Sequence, residues 1–158
     1  MIAELKVEKL EQARNKLKSK NAELRRRLIV RDAYFDKEKY SKNEIIRLRN
    51  LNIVFPQKST KATLAYEQSP ENYSTEVGDF DDAYDVLRSV FEKPFIDIIW
   101  FGETYDFKGC KIELRSIRDS FDYIVAFGKD DIVLSALKEL NLDGNLLENG
   151  VLDLLAKP

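Results

Sequence analysis

VEKLEQARNKLKSKNAELRRRL, residues Val7 to Leu28, repeats its apolar residues every seven positions, with a polar residue where a two-stranded zipper places one. With Val7, Arg14, Asn21 and Leu28 at heptad position a, residues Ala3, Leu10, Leu17 and Leu24 fall at d, the Leu-at-d arrangement of parallel dimers. An Asn at a central a position fixes register and strand number if it pairs across the seam. Arg14 weakens that seam, although its stem can cross while its head reaches water. The flanking e and g positions (Lys6, Glu11, Lys18, Lys20, Arg25, Arg27) are mostly basic, so the helix alone pairs weakly. The reading predicts a homodimer through Val7, Leu10, Arg14, Leu17, Asn21, Leu24 and Leu28. The competing reading is an amphipathic helix packed on its own domain, and antiparallel or heteromeric pairing stays open.

Outward from this stretch, the 158 residues divide into a coiled-coil helix (1–31), a helical connector (32–50) and a head (51–158). With 44% hydrophobic residues, nine Phe and seven Tyr, the head can build a core. The absence of His and the single cysteine, Cys110, exclude a Ser/His/Asp triad, a Cys/His zinc site and an internal disulfide. No apolar run approaches the length of a membrane span, which predicts a soluble intracellular protein, cytoplasmic or nuclear. Charge is divided: residues 1–62 carry 17 Lys/Arg against 8 Asp/Glu, and the remainder 9 against 20. A basic arm on an acidic head is a statement about partners. Arg25, Arg26, Arg27 and Arg31, spaced around a helix, are candidates for contacting the phosphates of DNA, while long charged helices are more often simply solvated.

After Leu28 the heptad fails. Ser41 with Glu44 reads as a capping box for a short helix through Ile45, Ile46 and Leu48. Leu51–Phe55 and Ala62–Tyr66 read as a hairpin, and the polar stretch 68–78 as a loop. Asp79 opens a helix that Pro94 ends. Strands are expected at 95–101, 110–117 and 121–127, then a helix from Asp130, with turns at Asp143-Gly144 and Asn149-Gly150, the second joining a last hairpin that ends near Leu155. The fold class expected is α+β: an N-terminal coiled-coil helix, then a β-β-α-β-β-β-α-β head with flanking helices on a mainly antiparallel or mixed sheet.

One constellation has possible chemistry. Asp97 lies inside the apolar run FIDIIWF, where an acid needs a partner or a metal to offset its desolvation. In KIELRS, strand alternation puts Lys111, Glu113 and Arg115 on one face. If the two strands are neighbours, Asp97 and Glu113 converge and can hold Mg²⁺, which activates water for phosphodiester hydrolysis. Asp106 is an alternative partner for Glu113. The bland reading makes 111, 113 and 115 a solvated strand face and Asp97 a hydrogen-bond acceptor. At these residues the chain resembles the PD-(D/E)XK nuclease superfamily. Pro94-Phe95-Ile96-Asp97 looks like its first motif, Glu113-Leu114-Arg115-Ser116 like its second, and FDYIVAFG like its third core strand, over residues 79–155. The resemblance implies Asp97, Glu113 and Arg115 as catalytic residues and Asp97 with Glu113 as metal ligands, with Arg115 standing where that family uses Lys.

The acids Asp79, Asp81, Asp82 and Asp85 lack the spacing of an EF-hand. Taken together, the sequence favours a non-enzymatic dimeric adaptor or regulatory protein, with no cofactor, whose acidic head binds another protein. A Mg²⁺-dependent nuclease or degenerate nuclease-like DNA binder is the alternative, and an acidic nucleic-acid mimic a further one.

Overall fold

In the computed structural model, which describes residues 1–142 and 146–156, the segment read as a zipper is three different things. It holds the end of strand β1 (Ile2–Val7), helix α1 (Leu10–Ser19) and the start of β2 (Glu23–Phe35). Asn21 stops the helix. Its φ of 59° puts it in the left-handed region that Asn tolerates, and the Ala22 N–H closes the turn on the Leu17 carbonyl at 2.9 Å. From Arg26 onward, past a bulge after Leu24, alternation with period two takes over from the 3.6-residue period. Leu10, Ala13 and Leu17 do form an apolar stripe, but it is buried against the chain's own Tyr105, Ile112 and Leu114. Arg14 hydrogen-bonds Glu103 and Glu11 instead of crossing a seam. The expected coiled coil is therefore absent, and residues 1–31 belong to the sheet rather than to an arm.

After β2 come α2 (Lys37–Ser41), β3 (Ile45–Phe55), β4 (Ser59–Gln68), β5 (Glu71–Val77), α3 (Phe80–Phe91), β6 (Ile96–Phe107), β7 (Cys110–Ile117), β8 (Asp122–Phe127), α4 (Asp130–Glu139) and α5 (Gly150–Ala156). The eight strands make one sheet in the order β1-β8-β7-β6-β2-β3-β4-β5, every neighbouring pair antiparallel. This replaces the expected head of flanked strands. The β3–β4 hairpin is present but begins at Ile45, so Ile45, Ile46 and Leu48 are strand, and the helix cap lies earlier, at Asp36, whose carboxylate accepts from the Lys39 N–H. The stretch expected as a loop is β5. Helix α3 starts where expected, its first turn capped by Asp79. The last element is a helix rather than a hairpin, and the Asp143-Gly144 turn lies outside the described residues.

The helices divide the sheet into two unlike faces. On the outer face, α1 and α4 pack on Ala3, Leu5, Ile112, Leu114, Ile124 and Ala126, while α3 packs through Phe80 and its neighbours on Ala33, Phe35, Ile46 and Leu48. Burial of these aliphatic and aromatic side chains supplies most of the stability, at about 25 cal/mol per Å² of apolar surface removed from water. The inner face carries a smaller apolar cluster, Leu28, Val30, Ile117 and Val125, roofed by Val151 and Leu155 of α5. Among the described residues no helix is long and apolar enough to cross a membrane.

Candidate functional site

The strands that are apolar toward the helices are charged on their other side. Register places Glu4 and Lys6 of β1, Glu113 and Arg115 of β7, Arg26 and Asp32 of β2, Arg47 and Arg49 of β3, and Lys61 of β4 on the inner face. Their outer neighbours are Ala3, Leu5, Ile112, Leu114, Ala33, Ile46 and Leu48. A face that served only as core would be apolar, because burying a charge is costly unless it is paired.

Two buried ion pairs sit at the centre of this face, one on each side of Trp100. Asp32, 2% exposed, receives both forks of Arg49, Nε at 2.6 Å and Nη2 at 2.9 Å, and the Trp100 indole N–H at 2.9 Å. Glu113, 5% exposed, accepts from Arg115 Nε at 2.6 Å and from the Thr104 hydroxyl at 2.9 Å. The Arg115 guanidinium lies 4.2 Å from the Trp100 ring centroid and that of Arg49 5.8 Å, so the indole is held between two cations. Gly102 makes the room. A Cβ there would come within 2.7 Å of the Trp100 ring.

Burial works against the charge of Arg49, but the hydrogen bonds and charge of Asp32 outweigh it and leave its pKa raised. Arg115 is likewise raised despite burial, by Tyr123 and Glu113. Tyr34, on the same face of β2, is pushed up to about 12, chiefly by burial and then by the charge of Asp32. Tyr123 is raised by burial as well. Three contacts tie α5 and the segment before it to this side of the sheet: the Val151 N–H donates to Glu4 Oε2 at 2.5 Å, the Leu147 N–H to the Glu4 carbonyl at 2.8 Å, and the Tyr40 hydroxyl to Asp153. Arg47 meets Glu67 only at 3.6 Å, and its buried Nε has no partner among the described residues.

The residues singled out in the sequence are mostly elsewhere. Asp97 and Glu113 do not converge: Asp97 pairs in register with Ala33 on the outer face, and Glu113 with Thr104 on the inner one. Asp97 is held by Arg31, at 3.0 and 2.9 Å, and by the Tyr84 hydroxyl at 3.3 Å. Asp106 pairs with Arg25 at 2.6 Å. A shared Mg²⁺ at Asp97 and Glu113 is thus removed by the pleat of the sheet, and among the described residues no group of three or more acidic or sulfur side chains is placed to hold a metal. Lys111, Glu113 and Arg115 do share a face, as alternation requires, but Glu113 is buried rather than solvated. Of the four candidate DNA-binding arginines, Arg25, Arg27 and Arg31 are in ion pairs along β2, and Arg26 alone points to the inner face. Asp32, Arg47, Arg49 and Trp100 went unrecognised. The signal was present as Asp-x-Tyr at 32–34 and Arg-x-Arg at 47–49, the spacing that puts two groups on one strand face.

No model of a known protein family matches the chain, and no curated protein sequence does. Solved structures do. A conserved hypothetical protein from Pyrococcus furiosus superposes with a TM-score of 0.77 at 19% identity over 97% of this chain and 98% of that one. A putative adenylate cyclase from Vibrio parahaemolyticus gives 0.74 at 12% identity, over 99% and 97%. A putative adenylyl cyclase from Hippeastrum, described as having a dominant triphosphatase activity, gives 0.68 at 12%, over 98% and 93%. These likenesses show that the chain shares the fold of these proteins, which overturns the coiled-coil adaptor.

Proposed function

We propose that this chain is a triphosphatase-like protein whose inner sheet face takes the phosphate chain of an inorganic or nucleoside triphosphate. The observation that carries the reading is the row of charged residues, Lys6, Arg26, Arg47, Arg49 and Arg115 among them, on the one face of the sheet that the outer helices leave uncovered. Arginine forks match phosphate oxygens two at a time, and a partly buried setting strengthens each contact. Support from outside the chain is the shared fold with the Hippeastrum protein and its triphosphatase activity.

A second reading, holding the ligand without hydrolysing it, is favoured by one specific feature. Hydrolysis needs a group to orient or deprotonate water, the chain has no His, and both buried inner-face carboxylates are already engaged by arginines. Calorimetric titration with inorganic triphosphate and with ATP, alongside phosphate-release assays, separates these readings. Binding with release supports the first and binding alone the second. If neither ligand binds, or if Arg47→Gln binds as tightly as the unaltered chain, the inner face is not the site.

A further inference from the structure

Resting on that reading, we infer that the inner face binds its polyanion bare, with arginines in place of a bridging divalent cation. Mg²⁺ usually reaches a phosphate chain through one or two protein carboxylates that keep lone pairs free for it. Among the described residues, four carboxylates of this face already have partners. Asp32 accepts three hydrogen bonds, two from Arg49 and one from Trp100. Glu113 accepts from Arg115 and Thr104, one on each oxygen. Glu4 receives the Val151 N–H, and Glu67 faces Arg47. For a metal to enter at Asp32 or Glu113 it must expel a guanidinium and leave that cation buried without its counter-charge, which a protein resists strongly. The two buried acids are also divided by the Trp100 ring and its flanking guanidiniums, so they are not set to share an ion.

Donors, by contrast, are in surplus. Arg47 keeps a buried Nε–H without an acceptor, and Arg26 has neither a hydrogen-bond nor an ion-pair partner among the described residues. A buried donor left unmade is unfavourable, and the acceptor that suits two planar forks on one sheet face is a chain of phosphate oxygens. Such a site recognises the free polyanion. A cation that coats the phosphates in solution competes with the arginines instead of assisting them.

The test is titration of the full chain with inorganic triphosphate, once in chelator and once in excess Mg²⁺, plus Mg²⁺ alone followed by thermal unfolding. The expected results are binding in chelator, equal or weaker binding in Mg²⁺, no thermal shift from Mg²⁺ alone, and loss of the chelator-phase affinity in both Arg26→Gln and Arg47→Gln. Affinity that rises about tenfold or more with Mg²⁺, or stabilisation by Mg²⁺ alone, overturns this inference while leaving the triphosphate reading intact. Absence of binding in either buffer overturns that reading and this inference with it. Should one glutamine variant fail to fold, the other decides, since the two arginines lie on different strands.

Discussion

Replacing Arg49 by alanine strips Asp32 of both fork contacts and leaves a carboxylate, 2% exposed, with only the Trp100 indole N–H as a donor. Removing one partner of a buried pair typically costs about 3–5 kcal/mol, because the remaining charge is stranded. For a chain of this length each kcal/mol lowers the melting temperature by about 2–4 °C, so Arg49→Ala should melt about 6–20 °C early at pH 7. Replacing both partners by leucine should recover most of the loss, since a buried pair exchanged for packed apolar groups is often near neutral. The assay is thermal unfolding by circular dichroism at pH 7 on the three proteins. A shift below about 3 °C, or no recovery in the leucine pair, would refute the claim that the pair is buried and mutually neutralised.

Leu17→Ala should cost about 2–5 kcal/mol in denaturant titration while leaving the sedimentation mass unchanged, because Leu17 is fully buried against the chain's own sheet. A fall in mass would restore the zipper. Gly102→Ala should destabilise by about 1–3 kcal/mol through displacement of Trp100, with a change in tryptophan fluorescence. Unaltered stability and emission would mean the indole has space to move. Because Tyr34 is pushed up to about 12 by burial, its contribution to stability is full below the ordinary tyrosine pKa and is lost as pH rises through the folded value. Tyr34→Phe should accordingly flatten the stability loss between about pH 10 and 12, and an unchanged alkaline profile would contradict the burial.

Much of the second half of the fold was legible. Strands β6, β7 and β8 and helices α3 and α4 lie close to the expected positions, because glycines, Pro94, the Asp79 cap and the acidic first turn of α4 punctuate clear changes of period. The first fifty residues were not, and the reason is physical. A helix of ten residues followed by a strand carrying Leu24 and Leu28 imitates a heptad, since the spacing of four between those leucines suits one turn of a helix as well as an alternating strand. What decides between them is Asn21, whose left-handed backbone breaks the helix at the position where a zipper would have used the same residue to set its register. The site was half legible for a related reason. Alternation correctly grouped Lys111, Glu113 and Arg115, but whether Asp97 shares their face depends on register across two strands, and no spacing within one strand reveals that.

Strand β1 lies beside β8, more than a hundred residues along the chain, with Ile2 opposite Phe127. The β2-to-β5 side differs: β2, β3, β4 and β5 follow one another as a meander of neighbours. Closing a long loop is entropically expensive and comes late in assembly. Glu4 is therefore carried by the last seam to zip, and the α5 backbone that leans on it docks no sooner. Hydrogen exchange should find the amides of β1 opening while the meander stays shut, so the roof over the inner face can lift without the walls coming apart.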